Sequence, residues 1–111
     1  MSKAYPLTGI RVLDLTRILA GPLCTQYLGD LGAEIIKIEN PKGGDDTRTW
    51  GPPFLETESA YYLGINRNKK SISLNLKNGD DLAFFKKLIE KSDVLVENFR
   101  PGVMNRLGLS F

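Results

Sequence analysis

Apolar and polar positions along the chain fall into two strand–helix–strand patterns. The run Ile10 to Leu15 is apolar through Val12, Leu13 and Leu15 and is broken by the charge of Asp14. Residues of that kind predict a short strand buried on both faces. Ala20-Gly21-Pro22 then opens a helix. Gly21 permits a tight turn, and Pro22 suits the first helical position because the N–H it lacks would be unpaired there anyway. Leu23, Tyr27, Leu28 and Leu31 recur at helical spacing and predict one apolar face, with Gly32 as the stop. Ala33 to Glu39 is the second strand, apolar at Ile35, Ile36 and Ile38. A unit this compact predicts a right-handed crossover between parallel strands, with ligands at the carboxyl ends of those strands.

The second half repeats the pattern after a long loop, Asn40 to Pro53. Thr57 to Ile65 predicts a short helix with Tyr61, Tyr62 and Leu63 on its apolar side. Ser71 to Leu76 alternates, with Ile72, Leu74 and Leu76 on one face of a third strand. Asn78-Gly79 turns into a helix with Asp80 or Asp81 at its start, where a carboxylate complements the helix dipole. Leu82, Phe85, Leu88 and Ile89 are its buried stripe; Lys86, Lys87, Glu90 and Lys91 face solvent. Asp93 to Asn98 is the fourth strand, and Phe99-Arg100-Pro101-Gly102 turns into a short helix through Met104, Arg106 and Leu107 that Gly108 ends. Met1 to Thr8 is a leader. The order β-α-β, loop, β-α-β, short helix predicts an α/β fold: an open, mostly parallel sheet with flanking helices.

Composition narrows the chemistry. With 111 residues and a net charge of +2, the chain predicts one domain and lacks the basic stripe that nucleic-acid binding needs. No segment has the apolar length of a signal peptide or membrane span, which predicts a soluble protein of cytoplasmic type. There is no histidine, which removes histidine acid/base pairs and most transition-metal sites. The single cysteine, Cys24, reads either as a nucleophile near a helix start or as a small buried hydrophobe. The missing histidine favours the second reading.

Neither G-x-G-x-x-G nor the P-loop pattern is present, yet the first helix start still suits an anion. Arg17, Lys42, Arg67, Lys69, Lys70, Lys77, Arg100 and Arg106 sit at strand ends or in adjoining loops. Each alone reads as a solvent-facing charge; together they would form a site for a polyanionic small molecule. The loop residues Asp45, Asp46, Arg48 and Trp50 leave two readings open: a functional loop, or an Asp–Arg pair with a Trp lid on the core. Glu97 to Gly102 offers an amide, an aromatic face and a cation, suited to adenine on Phe99 and phosphate on Arg100. Its bland alternative is a turn with a core phenylalanine.

Four blocks carry a resemblance: LDLTRILAGPLCTQYLGDLGAEIIKIE, GDDTRTWGPP, NRNKKSISLNLK and DVLVENFRPGVMNRLGL. In order and spacing they resemble the family III CoA-transferases, which include formyl-CoA and carnitine CoA-transferases and the related α-methylacyl-CoA racemases. The resemblance implies a Rossmann-like large domain that binds coenzyme A or acyl-CoA, in an interlocked homodimer. The carried-over coenzyme positions are Leu19 and Ala20 after the first strand, Asn40 after the second, and Leu74, Asn75 and Lys77 around the third. Asn98, Phe99 and Arg100 follow the fourth strand, and Arg106 lies in the last helix. Partners would be a CoA thioester and a small carboxylic acid, with no metal, in the cytoplasm or an organelle matrix. The family transfers CoA through an aspartyl mixed anhydride. Neither Asp45 nor Asp46 is at that aspartate's position, so residues 1–111 are expected to be the coenzyme-binding N-terminal part of the large domain. GDDTRTWGPP leans toward the dicarboxylate branch. A non-catalytic binding or assembly module and a racemase relative are the alternatives.

Overall fold

A computed structural model describes residues 4–110. The elements are β1 (Arg11–Asp14), α1 (Ala20–Asp30), β2 (Glu34–Glu39), a 3-10 turn (Asp46–Thr49), β3 (Phe54–Leu55), β4 (Glu58–Ser59) and α2 (Ala60–Ile65). They continue as β5 (Lys69–Ser73), α3 (Gly79–Glu90), β6 (Val94–Val96) and α4 (Val103–Arg106). Four strands form one sheet in the order β5-β2-β1-β6, and every pairing in it is parallel. The fold is therefore the expected open parallel α/β sheet with flanking helices. Its order reverses between β1 and β6, where open α/β sheets leave a crevice at the carboxyl ends of the strands.

Alternation along β1 and β2 divides the core in two. Leu13, Leu15, Ile36 and Ile38 join Leu74 and Phe85 on the α3 side, backed by Leu88, Ile89, Phe99 and Met104. Val12, Ala33 and Ile35 form the smaller cluster on the other side, with Leu28 against it. On α3, Asn78 caps the first turn: its side-chain oxygen accepts from the amides of Asp80 (2.9 Å) and Asp81 (3.2 Å).

Several expectations need correction. Helix α1 does not bury the stripe Leu23, Tyr27, Leu28 and Leu31: Tyr27 is 55% and Leu31 46% exposed, whereas Pro22, Thr25 and Gln26 are buried. Asp14 is buried on the same sheet face as Val12 and Ile35 and accepts from the Thr25 hydroxyl, while Lys69 donates to the Pro22 carbonyl and the Arg67 amide to Gln26, so the inward face of α1 is polar. Cys24 is exposed, not a buried hydrophobe. The third sheet strand lies earlier than Ser71 to Leu76, because Lys69 to Ser73 pair with Ile35 to Glu39. The fourth keeps only Val94 to Val96 of the predicted Asp93 to Asn98. The predicted helix from Thr57 loses its start to a two-stranded hairpin, β3 paired antiparallel with β4.

Phe85 is fully buried while its neighbour Phe84 is 48% exposed. Urea denaturation is therefore expected to show Phe85→Ala losing about 3–5 kcal/mol and Phe84→Ala staying within about 1 kcal/mol. Equal losses at the two positions would contradict this packing.

Candidate functional site

Three pairs of opposite charge lie beneath the carboxyl rim of the sheet. Asp14 of β1 meets Lys69 of β5 at 3.0 Å, and both side chains are at most 1% exposed. Lys37 of β2 meets Asp45 of the long loop at 2.9 Å, equally buried. Glu39 of β2 holds Arg48 of the 3-10 turn by a two-point contact, Nε at 2.8 Å and Nη2 at 2.7 Å. Each group is completed by further donors and acceptors, as a buried charge requires. The Asp14 carboxylate accepts from the Thr16 amide (2.8 Å) and from the Thr16 and Thr25 hydroxyls. Lys69 Nζ also donates to the Pro22 carbonyl (2.9 Å) and to Asn66 Oδ1 (2.8 Å). Glu39 accepts from the Asp45 amide (2.8 Å), the Tyr62 hydroxyl (3.2 Å) and Ser71. Among the described residues no buried side-chain polar atom lacks a partner.

These contacts set the protonation states. Burial alone would raise the Glu39 pKa, but hydrogen bonds from Arg48 and Ser71 and from the Asp45 amide lower it to about 2. Burial opposes ionisation of Asp45 as well, and the Thr47 amide and Lys37 outweigh it, so its pKa is lowered. Burial pushes the Lys69 pKa down, against the pull of Asp14. Burial, then the charge of Glu39, raise that of Tyr62, whose ring carries the Arg48 guanidinium at 3.9 Å.

Above this network a cleft of about 540 Å³ opens along the rim. The turn after β1 supplies Thr16 and Arg17, the loop after β2 supplies Asn40, Lys42 and Asp45, and the segment after β5 supplies Leu74, Asn75 and Lys77. Phe99, Val103 and Leu107 form the wall next to β6. The Asp81 carboxylate accepts from the Asn75 backbone N–H at 2.8 Å, and Arg17 lies over the Phe99 ring at 5.1 Å.

The cleft thus gathers Asn40, Leu74, Asn75, Lys77 and Phe99 of the sequence-predicted positions. Leu19 is the half-exposed residue before α1, and Ala20 is its first residue; neither lines the cleft. Asn98 instead hydrogen-bonds the Arg17 backbone. Arg100 and Arg106 are exposed on the segment that carries Phe99, Val103 and Leu107. Of the eight cations, Arg17, Lys42 and Lys77 face the cleft. Lys69 is spent on Asp14, Arg67 pairs with Asp30 at 2.7 Å, and Lys70 lies 4.0 Å from Glu34. The loop holds no Asp45–Arg48 pair, since each bonds a residue of β2 instead. Nor is Trp50 a lid on the core: it is exposed, edge-on to Tyr61 with ring centroids 5.2 Å apart. Lys37, which sequence reading missed, was signalled by a lone charge inside the apolar run of β2.

The model of CoA-transferase family III matches residues 7–111. The human protein named succinyl-CoA:glutarate CoA-transferase is 56% identical over 111 residues, covering all of this chain and 25% of that protein. The acetyl-CoA:oxalate CoA-transferase of Acetobacter aceti is 54% identical over 106 residues, 96% of this chain and 27% of that one. A crystal structure of a CAIB/BAIF family protein from Brucella suis superposes with a TM-score of 0.91 at 42% identity, covering 98% of this chain and 30% of the other. The chain therefore spans about a quarter of the length of the named transferases it matches.

Acid tests the charge network. Glu39 binds a proton less readily when folded (about 2) than at its ordinary value of 4.5, so its contribution to stability is complete above 4.5 and fades as pH falls toward 2. Glu39→Gln is expected to lose about 1.5–3 kcal/mol at pH 7 and to show a flatter melting-temperature profile between pH 5 and pH 2 (about the span of that titration). Parallel profiles for the two proteins would show that Glu39 does not carry the acid sensitivity.

Proposed function

The chain belongs to CoA-transferase family III, and we propose that its rim cleft receives the coenzyme A portion of an acyl-CoA. The observation that carries this is the convergence of Asn40, Leu74, Asn75, Lys77 and Phe99 on one cleft along the carboxyl rim of the parallel sheet. Coenzyme A is a polyanion with an aromatic base at one end. Phe99 offers the base a stacking face, Asn40 and Asn75 offer amides, and Lys42, Lys77 and Arg17 offer cations. Arg100 and Arg106, exposed on the neighbouring segment, would meet the outer phosphates, with Leu19 and Ala20 along the first turn.

In this reading the chain contributes coenzyme binding to an exchange of CoA between an acyl-CoA and a carboxylic acid through an aspartyl mixed anhydride. The names of its relatives specify succinyl-CoA, glutarate and oxalate, which points to dicarboxylate chemistry. The attacking carboxylate is placed outside these residues. Asp14 and Asp45 are buried in ion pairs, and Asp30 is paired with Arg67. Asp81 and Asp93 accept from backbone amides. Asp46 in the 3-10 turn and Asp80 in the first turn of α3 are exposed, and neither lines the cleft. A homodimeric assembly fits the apolar side chains left exposed at Tyr27, Leu31, Val94 and Leu95. No helix among the described residues is long and apolar enough to cross a membrane. Placement in the cytoplasm or an organelle matrix completes the proposal.

Calorimetric titration with free CoA is expected to show binding to this chain, weakened about five- to tenfold by Lys77→Ala or Phe99→Ala. Saturating CoA that leaves no heat, or variants that bind unchanged, would count against the site. Incubation with succinyl-CoA and glutarate is expected to yield no glutaryl-CoA; turnover by this chain would place the nucleophile within it. Sedimentation is expected to show self-association, and a monomer at high concentration would remove the dimer from the proposal.

A further inference from the structure

The turn between β1 and α1 is held in an unusual shape. Ile18 has φ +75°. A β-branched residue rarely adopts that left-handed conformation, because its Cβ crowds the backbone. Such a conformation persists where the surroundings over-determine it. Here Lys37 Nζ donates to the Thr16 carbonyl at 3.1 Å, and the Asp45 carboxylate faces the Ile18 amide at 3.4 Å. The opposite side is held by Asn98. Its Oδ1 accepts from the Arg17 amide at 3.0 Å and its Nδ2 donates to the Arg17 carbonyl at 2.8 Å. The β1–β6 ladder ends with the Leu15 amide on the Val96 carbonyl at 2.8 Å, and the Asn98 side chain extends that ladder by one more peptide. Packing around it is close: a Cβ on Gly21 would lie 2.4 Å from Thr16 Cβ and 3.1 Å from Asn98 Nδ2.

We propose that Asn98 is a positioning residue, whose side-chain amide clamps the Arg17 peptide and keeps the 16–19 turn in its left-handed form as one wall of the cleft. This rests on the coenzyme A reading of that cleft. The family resemblance puts Asn98 on the coenzyme itself. In the structure its oxygen and one amide N–H are already committed to Arg17, and Asn98 does not line the cleft. Its influence on binding therefore passes through Thr16 and Arg17, which do line it.

The test combines amide hydrogen exchange of the unliganded chain with CoA titration, for the parent chain, Asn98→Ala, Ile18→Gly and the double variant. Asn98→Ala is expected to raise exchange at the Arg17 and Ile18 amides about tenfold, to leave Leu13 protected, and to weaken CoA binding about tenfold. Glycine adopts the left-handed form without the steric cost that isoleucine meets there, so in the Ile18→Gly background the same substitution is expected to weaken binding less than about threefold. Asn98→Asp, which keeps the acceptor for the Arg17 amide, is expected to exchange more slowly there than Asn98→Ala. Unchanged exchange at Arg17 would overturn the clamp. An equal loss of CoA affinity in both backgrounds would make Asn98 a direct ligand contact and overturn it too. A parent chain that shows the exchange pattern but takes up no CoA would remove the ligand assignment and leave the clamp supported.

Discussion

Six charges packed between the sheet and its loops govern where everything else can lie. Asp14, Lys37, Glu39, Asp45, Arg48 and Lys69 form three pairs of opposite sign, and all but Arg48 have nearly fully buried side chains. A buried ion pair is a weak source of net stability, but removing one partner of it costs about 3–5 kcal/mol. That is a large part of the roughly 5–15 kcal/mol that holds a domain folded. The penalty for mispairing is what fixes the geometry. The loop after β2 lies on the rim with Asp45 on Lys37 and Arg48 on Glu39. Lys37 at the same time reaches the Thr16 carbonyl of the turn after β1. Two separate loops are thus registered against one strand, and the cleft is the space between them.

The apolar half of the structure was plainly legible in the sequence. Short apolar runs in Ile10 to Leu15 and Ala33 to Glu39, a proline at a helix start and a glycine after a helix end gave the parallel unit. The stripe Leu82, Phe85, Leu88 and Ile89 of α3 gave the layer beneath it. The polar half was legible only in hindsight, because it depends on pairing between distant residues. Asp14 looked like an interruption in a buried strand, and Lys37 was passed over within a run of isoleucines. Each is intelligible only once Lys69 and Asp45 arrive beside it in space. The apolar face read for α1 failed for the same reason: helical spacing identifies a stripe, but the chemistry of the opposing sheet decides which stripe is buried. Thr25 and Gln26 face inward because Asp14 and the Arg67 amide need partners there.

For the candidate site, the resemblance named positions of which five converge on one rim, without separating what each does there. Five carried-over positions line the cleft, and Asn98 holds the turn beside it. A short motif cannot separate these roles, since an amide at a strand end serves a ligand or a backbone equally well. The exposed edge at β6 and the exposed apolar side chains of α1 stand outside this site.

Backbone amide shifts followed during titration with CoA bear most directly on this account. The predicted result is a compact footprint on Thr16 to Ile18, Asn40 to Asp45, Asn75 to Lys77 and Phe99, with the buried strand registers unmoved because the cleft is already built. A footprint at the opposite end of the sheet, on the smaller depression lined by Gly9, Arg11, Glu34 and Asp93, would contradict it.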